Sequence, residues 1–241
     1  MPEYLGFDRL ALELENKPLE LFCFKQLYLL RVRGLKQKIG VDSSTEEDIF
    51  NKIWHETNKN KMIADNIESD FLNIALSTGK WDCDNMSLLI FDVLNDLGLK
   101  PRIVLGQGHV YVCSGSRYYE TTNGYHDSSR LLYNKNKNIV YYEGSDREAI
   151  KAITHKMLAE HNKDINRELA LYHISKAITL IPEYATAFFL RGLLYECLGK
   201  LDEGTADIEK AKTIDPSYEE AQKTVSLDEE LRKLLKGDLN G

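Results

Sequence analysis

The chain lacks the features of a disulfide-rich, a nucleic-acid-binding or a membrane-spanning protein. Its 241 residues include four cysteines and no C-x-x-C pair, which favours free thiols over a disulfide framework or a structural zinc site. No run of Lys and Arg interrupts a net charge of −7, so no nucleic-acid partner is expected. No stretch approaches the ~20 apolar residues that cross a bilayer, so no membrane partner is expected either.

The N-terminus carries acidic residues early and has no basic start followed by an apolar block, so we expect no secretory signal and a cytoplasmic location. Hydrophobic residues make up 43% of the chain and charged residues 29%, which is typical of a folded protein. Nothing in the sequence calls for a metal or a cofactor.

The clearest helix is predicted between Asp82 and Gly98. Asp82 is a favourable N-cap residue, and Gly98 stands where a left-handed C-terminal cap belongs. Apolar residues between them recur at helical spacing and predict a single buried face: Met86, Leu89, Ile90, Val93, Leu94 and Leu97. The first eighty residues also read as helices, one of them opened by a Ser44–Glu47 capping box.

After Pro101 the apolar period changes from helical to alternating. Residues 103–105 predict a short strand, and residues 109–113 and 116–122 predict a β-hairpin around Ser114-Gly115. A long loop is expected from 122 to 138. The fold class is therefore α+β, with a helical domain carrying a small antiparallel sheet over residues 1–145 and an all-α module over residues 146–241.

Two C-terminal segments, Ala177–Tyr184 and Ala211–Tyr218, repeat Ala, Thr, Pro and Tyr at an offset of 34 residues. That period is typical of the tetratricopeptide repeat, and the repeat from Ala185 resembles this family closely. The positions that carry the resemblance are Gly192, Tyr195, Ala211 and Pro216, preceded by Ala170, Ala177 and Pro182. Residues 218–235 are expected to form a polar capping helix. The module is either a groove for a protein partner or a structural appendage packed on the first domain.

Three residues predict chemistry, namely Cys83, His109 and Glu120. Cys83 falls at a helix N-terminus, where the helix dipole is expected to lower the thiol pKa. A nucleophilic cysteine needs an imidazole to take and return its proton. A hairpin loop of Ser114-Gly115 would set His109 opposite Glu120, which could hold the imidazole in one tautomer. A four-residue loop from Ser114 to Arg117 would make Glu120 a diagonal neighbour instead.

The order of these motifs resembles the transglutaminase-like superfamily of papain-like cysteine folds, and most of all its bacterial members fused to tetratricopeptide repeats. The resemblance spans Phe71 to Tyr142 and rests on Trp81-Asp82-Cys83, on Gly108 to Val112, and on Tyr119 to Gly124. It implies that Cys83 is the nucleophile, His109 the base and Glu120 the orienting acid. Relatives usually carry Asp where Glu120 stands, and Trp shortly after the histidine.

The function expected from these observations is a cysteine hydrolase or acyltransferase that acts on amide or peptide bonds through a thioester. Trp81 is expected to line the acyl pocket. The alternative is a non-catalytic scaffold that uses the repeats for protein–protein interaction. Cys23 and Cys197 are expected in the core. The remaining histidines show no partner pattern and are expected at surface or packing positions: His55, His126, His155, His161 and His173.

Overall fold

The computed structural model describes residues 4–39, 45–58, 71–106, 109–114, 117–119 and 145–219. Within these residues the chain is mostly helical and carries one small antiparallel sheet, which confirms the α+β class. The helices are α1 Leu5–Glu13, α2 Pro18–Ile39, α3 Glu46–Asn58, α4 Leu72–Thr78, α5 Cys83–Asp96, α6 Asp146–Asn162, α7 Arg167–Leu180, α8 Ala185–Cys197 and α9 Leu201–Ile214. The strands are β1 Pro101–Gly106, β2 His109–Ser114 and β3 Arg117–Tyr119. No helix of this described part is long and apolar enough to cross a membrane.

Helix α5 has the ends that the sequence predicts. The Asp82 side chain accepts a hydrogen bond from the Asn85 N–H at 2.7 Å, and Gly98 has a φ of +82°. The prediction of a single buried face was wrong, because every residue from Asp84 to Leu94 is buried. Helices α1 and α2 and strands β1 and β2 all pack around α5, so its central part from Asp84 to Leu94 lies inside the domain.

The sheet has the order β1-β2-β3, with both pairs antiparallel. In β2 the side chains of Val110 and Val112 are buried in the core that contains α5. The Ser87 hydroxyl donates to the Val110 carbonyl at 3.0 Å and ties α5 to this strand. The sheet therefore fixes the position of the first turns of α5 relative to the start of β2.

The hairpin exists, and of the two pairings that the sequence leaves open it has the second, not the one around Ser114-Gly115. Cys113 pairs with Tyr118, and Ser114 pairs with Arg117, whereas a Ser114-Gly115 loop would pair Cys113 with Ser116. The described pairs therefore correspond to the register of the longer loop, from Ser114 to Arg117.

The polar anchor of the N-terminal helices is Asp92, in the middle of α5. Its buried carboxylate accepts hydrogen bonds from the Leu5 N–H at 2.9 Å, the Gly6 N–H at 3.0 Å and the Tyr28 hydroxyl at 2.7 Å. Two of the otherwise unpaired N–H groups at the start of α1 are thus satisfied from α5. A single carboxylate joins α1, α2 and α5.

One hydrophobic core runs through residues 4–194 and includes side chains of α6, α7 and α8. A smaller cluster lies between α8, α9 and Tyr218. The expected boundary at residue 145 is bridged by polar contacts, since Asp146 accepts from the Ile103 N–H at 2.7 Å and Arg147 lies 2.9 Å from Asp8. The helices after residue 145 are therefore packed on the first part of the chain. The capping helix expected at 218–235 falls almost entirely outside the described residues.

Candidate active site

Cys83 is the first residue of α5, directly after the N-cap Asp82. Its sulfur lies 3.3 Å from Oδ1 of Asp84, and the backbone N–H of Val110 in β2 donates to it. Val110 follows His109 in the chain, so the sulfur lies beside the start of the strand that carries the predicted base. The cysteine and the beginning of β2 form one local site.

The expectation that Cys83 ionises readily was wrong. Burial raises the pKa of the Cys83 thiol well above its ordinary value, and the carboxylates of Asp84 and Asp82 raise it further. The hydrogen bond from Val110 works in the opposite direction but does not compensate. The residues that make this a good helix start also place negative charge beside the sulfur, so the thiol rests in its protonated form.

His109 begins β2 and pairs with Gly106 of β1. It is partly buried, and its ring centroid lies 4.5 Å from that of Tyr111 in an edge-on arrangement. Alternation along the strand places His109 and Tyr111 on one face, and Val110 on the other. The imidazole therefore lies on the sheet face opposite the Val110 side chain, at the first residue of β2.

Glu120 lies outside the described residues. The pairing that would set it directly opposite His109 is not the one that the described part of the hairpin has. The observed pairing of Cys113 with Tyr118 is the register under which the sequence predicts Glu120 as a diagonal neighbour of His109. Its role as the orienting acid stays a prediction.

Trp81 is 3% exposed and packs in the hydrophobic core. The Arg31 guanidinium lies 5.8 Å from the centroid of its ring, a cation–π contact that links α2 to the segment before α5. The buried indole thus helps to fix the N-terminus of α5, which carries Cys83. Its expected contact with an acyl group stays a prediction.

Two other groups of expectations needed correction. Cys23 and Cys197 are exposed, because each lies on the solvent side of its helix. His155 and His173 were expected to have no partner pattern, but their Nδ1 atoms lie 3.0 Å apart and join α6 to α7. In the described residues no group of three or more His, Cys, Asp or Glu side chains is arranged to hold a metal ion.

Sequence reasoning missed the charged groups behind Cys83. Asp84 is 9% exposed. Its charge acts on Arg9 of α1, on Lys156 of α6 and on Tyr184 just before α8, in addition to Cys83. The sequence Asp82-Cys83-Asp84 signals acidity beside the thiol. The three other groups are remote in the chain, so no spacing within the motif could reveal them.

No protein-family profile matches the chain, and no curated protein matches it. Among solved structures, the chain is similar to menin, in a crystal structure described as revealing the binding site for the Mixed Lineage Leukemia (MLL) protein. The TM-score is 0.46 at 13% identity, over 78% of this chain and 59% of menin. A similarity of this degree decides neither the fold nor the function.

Proposed function

We propose that the protein is a cysteine-dependent hydrolase or acyltransferase that acts on amide or peptide bonds. Cys83 is the nucleophile, His109 the general base and Glu120 the acid that orients the imidazole. One observation supports this most. The Cys83 sulfur accepts a hydrogen bond from the N–H of Val110, the residue next to His109. We propose in addition that the His109 imidazole reaches the Cys83 sulfur.

The reaction would have two halves. The Cys83 sulfur attacks the carbonyl carbon while its proton passes to His109, and the C–N bond then breaks as His109 returns the proton to the leaving amine. The resulting thioester is released by water in a hydrolase, or by a second amine in a transferase. In this proposal, backbone N–H groups in the first turn of α5 would stabilise the oxyanion that forms in each half.

The raised pKa of Cys83 decides which form of this mechanism applies. A thiol that rests protonated needs a base to remove its proton as it attacks, so the reaction depends fully on His109. A preformed thiolate, which the sequence alone predicts, would depend on it less. Loss of the imidazole should therefore slow the reaction of Cys83 strongly.

The same proposal assigns residues 1–145 to a transglutaminase-like domain and residues 146–241 to tetratricopeptide repeats, in a cytoplasmic protein. Helices α6 and α7 are connected by a short loop and pack together, and so are α8 and α9. Stacked helical hairpins have this arrangement. A protein or peptide is the substrate class, and the repeats offer a surface for a protein partner.

The experiment measures iodoacetamide labelling of each cysteine at pH 7 by peptide mapping, in the unaltered chain and in His109→Ala and Glu120→Gln variants. We expect His109→Ala to slow labelling of Cys83 at least tenfold and Glu120→Gln to slow it less. The exposed Cys23 and Cys197 serve as internal references and should not change. Incubation with peptide amides should then add an acyl mass to Cys83. A Cys83 labelling rate unaffected by His109→Ala would refute the proposal.

A second candidate is a non-catalytic scaffold that keeps this fold for binding. The observation that favours it is the carboxylate of Asp84, which lies 3.3 Å from the sulfur and opposes its ionisation. A binding module has no need for a reactive thiol, so negative charge beside Cys83 would carry no cost. The labelling experiment separates the two candidates, because only an enzyme needs Cys83 to respond to His109.

A further inference from the structure

Helix α2 exposes an apolar stripe on its solvent side. Leu19 is 83% exposed, Phe22 and Leu30 are each 64% exposed, and Leu27 is 47% exposed. With the exposed Cys23, these residues recur at the spacing of one helix face, and the buried residues of α2 lie on the opposite face. We call these five residues the α2 stripe.

The α2 stripe has the size of an interaction surface. Side chains exposed to this degree leave on the order of 500 Å² of apolar surface in water, which is near the upper end of what a soluble monomer shows. A stable homodimer of standard size buries about 800 Å² on each partner. The stripe and its polar rim together are therefore large enough for a contact with one other helix.

The order of the stripe fits a second copy of the same helix. Leu19 and Leu30 are equally far from the point between residues 24 and 25, and so are Phe22 and Leu27. If two α2 helices lie antiparallel with a two-fold axis at that point, Leu19 meets the partner subunit's Leu30. Phe22 likewise meets the partner subunit's Leu27. A two-fold interface requires a patch that is complementary to itself in this way.

The charges beside the stripe fit the same arrangement. Glu20 and Arg31 are both exposed and lie eleven residues apart in the sequence, about three turns, so they share one flank of the stripe. In the antiparallel alignment the same flanks of the two helices adjoin. Glu20 then comes within two positions, about 3 Å along the helix axis, of the partner subunit's Arg31. Two-fold symmetry forms this pair of opposite charges twice.

The contacts that these two residues make within one chain leave the pairing open. Glu20 lies 3.5 Å from Lys17, with both side chains more than half exposed, and such surface pairs are weak enough to exchange. The Arg31 guanidinium lies over the Trp81 ring at 5.8 Å. A guanidinium that stacks by its face keeps its N–H edge for a carboxylate.

We propose that the protein forms a symmetric homodimer in which two α2 stripes pack antiparallel. In this dimer Cys23 lies three helical positions, about 4.5 Å along the axis, from the partner subunit's Cys23. Both thiols lie on the same flank near the two-fold axis, within reach of each other. The proposal uses neither Cys83 nor His109, so it stands or fails separately from the proposed function.

The first experiment is sedimentation velocity of the full chain from about 1 µM to about 300 µM under reducing conditions. We expect a shift from monomer to dimer as the concentration rises. Leu30→Glu should raise the Kd of the dimer at least tenfold, because it places a charge against the partner subunit's Leu19. The matched control is Leu201→Glu at the start of α9, where the leucine is 63% exposed, and it should leave the Kd unchanged.

The second experiment tests the orientation with two charge reversals. Glu20→Arg and Arg31→Glu should each weaken the homodimer several-fold, since each places like charges together twice. An equimolar mixture of the two variants should recover the Kd of the unaltered chain, because both pairs again carry opposite charges. Loss of the Arg31 contact with Trp81 could not be repaired by mixing, so recovery separates the interface from a structural effect.

Cross-linking locates the two-fold axis. A bismaleimide with a short spacer should join two copies through Cys23 at concentrations where the dimer forms, as peptide mapping reads out. The equally accessible class of thiol is represented by Cys197, which should not link to another Cys197. Leu30→Glu should abolish the Cys23 product.

Three results would overturn the proposal. A chain that stays monomeric throughout would mean that another protein, or a part of this chain outside the described residues, covers the stripe. A dimer that Leu30→Glu leaves unchanged would mean that the copies meet at another surface. A mixture of Glu20→Arg and Arg31→Glu that binds no better than either variant alone would exclude the antiparallel alignment.

Discussion

A side-chain carbon added at Gly192 in α8 would lie 2.9 Å from the carbonyl oxygen of Gly204 in α9, and one added at Gly204 would lie 3.0 Å from the carbonyl oxygen of Gly192. The two helices cross where both lack a side chain, so their backbones touch. Sequence analysis identifies Gly192 as a position of the repeat resemblance, and the structure shows that α9 approaches α8 closely there. Gly204 is the partner that the sequence reading did not identify.

Enlarging Gly192 should destabilise the C-terminal helices. Its added carbon would also meet the Ile208 side chain at 2.7 Å, and overpacking of this kind costs about 1–3 kcal/mol. Gly192→Ala should lower the free energy of unfolding, and Gly192→Leu should lower it further. Urea denaturation followed by circular dichroism measures both.

The control for this prediction is Gly34→Ala in α2. A carbon added at Gly34 meets nothing within 4 Å, so only the helix propensity changes, and alanine is favoured there by about 0.5–1 kcal/mol. The same substitution should therefore have opposite signs at the two glycines. A stabilising effect at both would mean that α8 and α9 do not cross at Gly192.

Local signals explain which parts of the fold were predictable. The ends of α5 follow from Asp82 and Gly98, both of which lie within a few residues of the features they determine. The burial of α5 on all sides was not predictable, because it depends on α1 and α2. Asp92 is bonded to Leu5, 87 residues away, and no spacing in the sequence links those two positions.

The positions of the site residues on a helix and a strand could be predicted from the sequence, but the electrostatics of the site could not. The position of Cys83 at a helix start and of His109 at a strand start follows from apolar periodicity. The direction of the thiol pKa follows from burial first and from Asp84 and Asp82 next. Asp84 and Asp82 stand beside Cys83 in the sequence, but only the fold shows that the sulfur is out of water.

The contribution of Asp92 to the free energy of unfolding should fall as the pH rises from 4 to 6. Burial raises the pKa of its carboxyl from 3.8 to about 6 despite three hydrogen bonds. In this window the folded chain binds a proton at Asp92 that the unfolded chain has lost, so the contribution of Asp92 to stability falls with rising pH by about 2–3 kcal/mol. Asp92→Asn removes that slope.

The measurement is the free energy of unfolding of both chains by urea at half-unit steps from pH 4 to pH 7. The advantage of the unaltered chain over Asp92→Asn should shrink as the pH rises and then level off above pH 6. A difference that stays constant across the range would contradict the raised pKa. A difference that grows with pH would mean that the three hydrogen bonds outweigh burial.

The His155–His173 pair should have the opposite pH dependence in an overlapping range. Burial, His173 and two lysines, Lys176 and Lys151, lower the pKa of His155 from 6.5 to about 4, while the charge of Glu15 acts on His173. Between these values the unfolded chain binds a proton that the folded chain does not, so stability is full above pH 6.5 and is lost as the pH falls toward 4. Both rings are partly exposed, so the effect should be about 1–2 kcal/mol.

His155→Gln should remove this loss of stability at acid pH. The opposite pH dependence that Asp92 contributes should then become visible. Because the two slopes oppose each other, the unaltered chain should change little between pH 4.5 and 6, whereas His155→Gln should lose stability and Asp92→Asn should gain it as the pH rises. His173→Gln should reproduce His155→Gln, and the two together should add little, since both remove the same 3.0 Å contact between Nδ1 atoms. Urea unfolding of the three variants at pH 4.5, 5.5 and 6.5 measures this. Fully additive effects of His155→Gln and His173→Gln would show that the rings titrate independently and that the contact does not join α6 to α7.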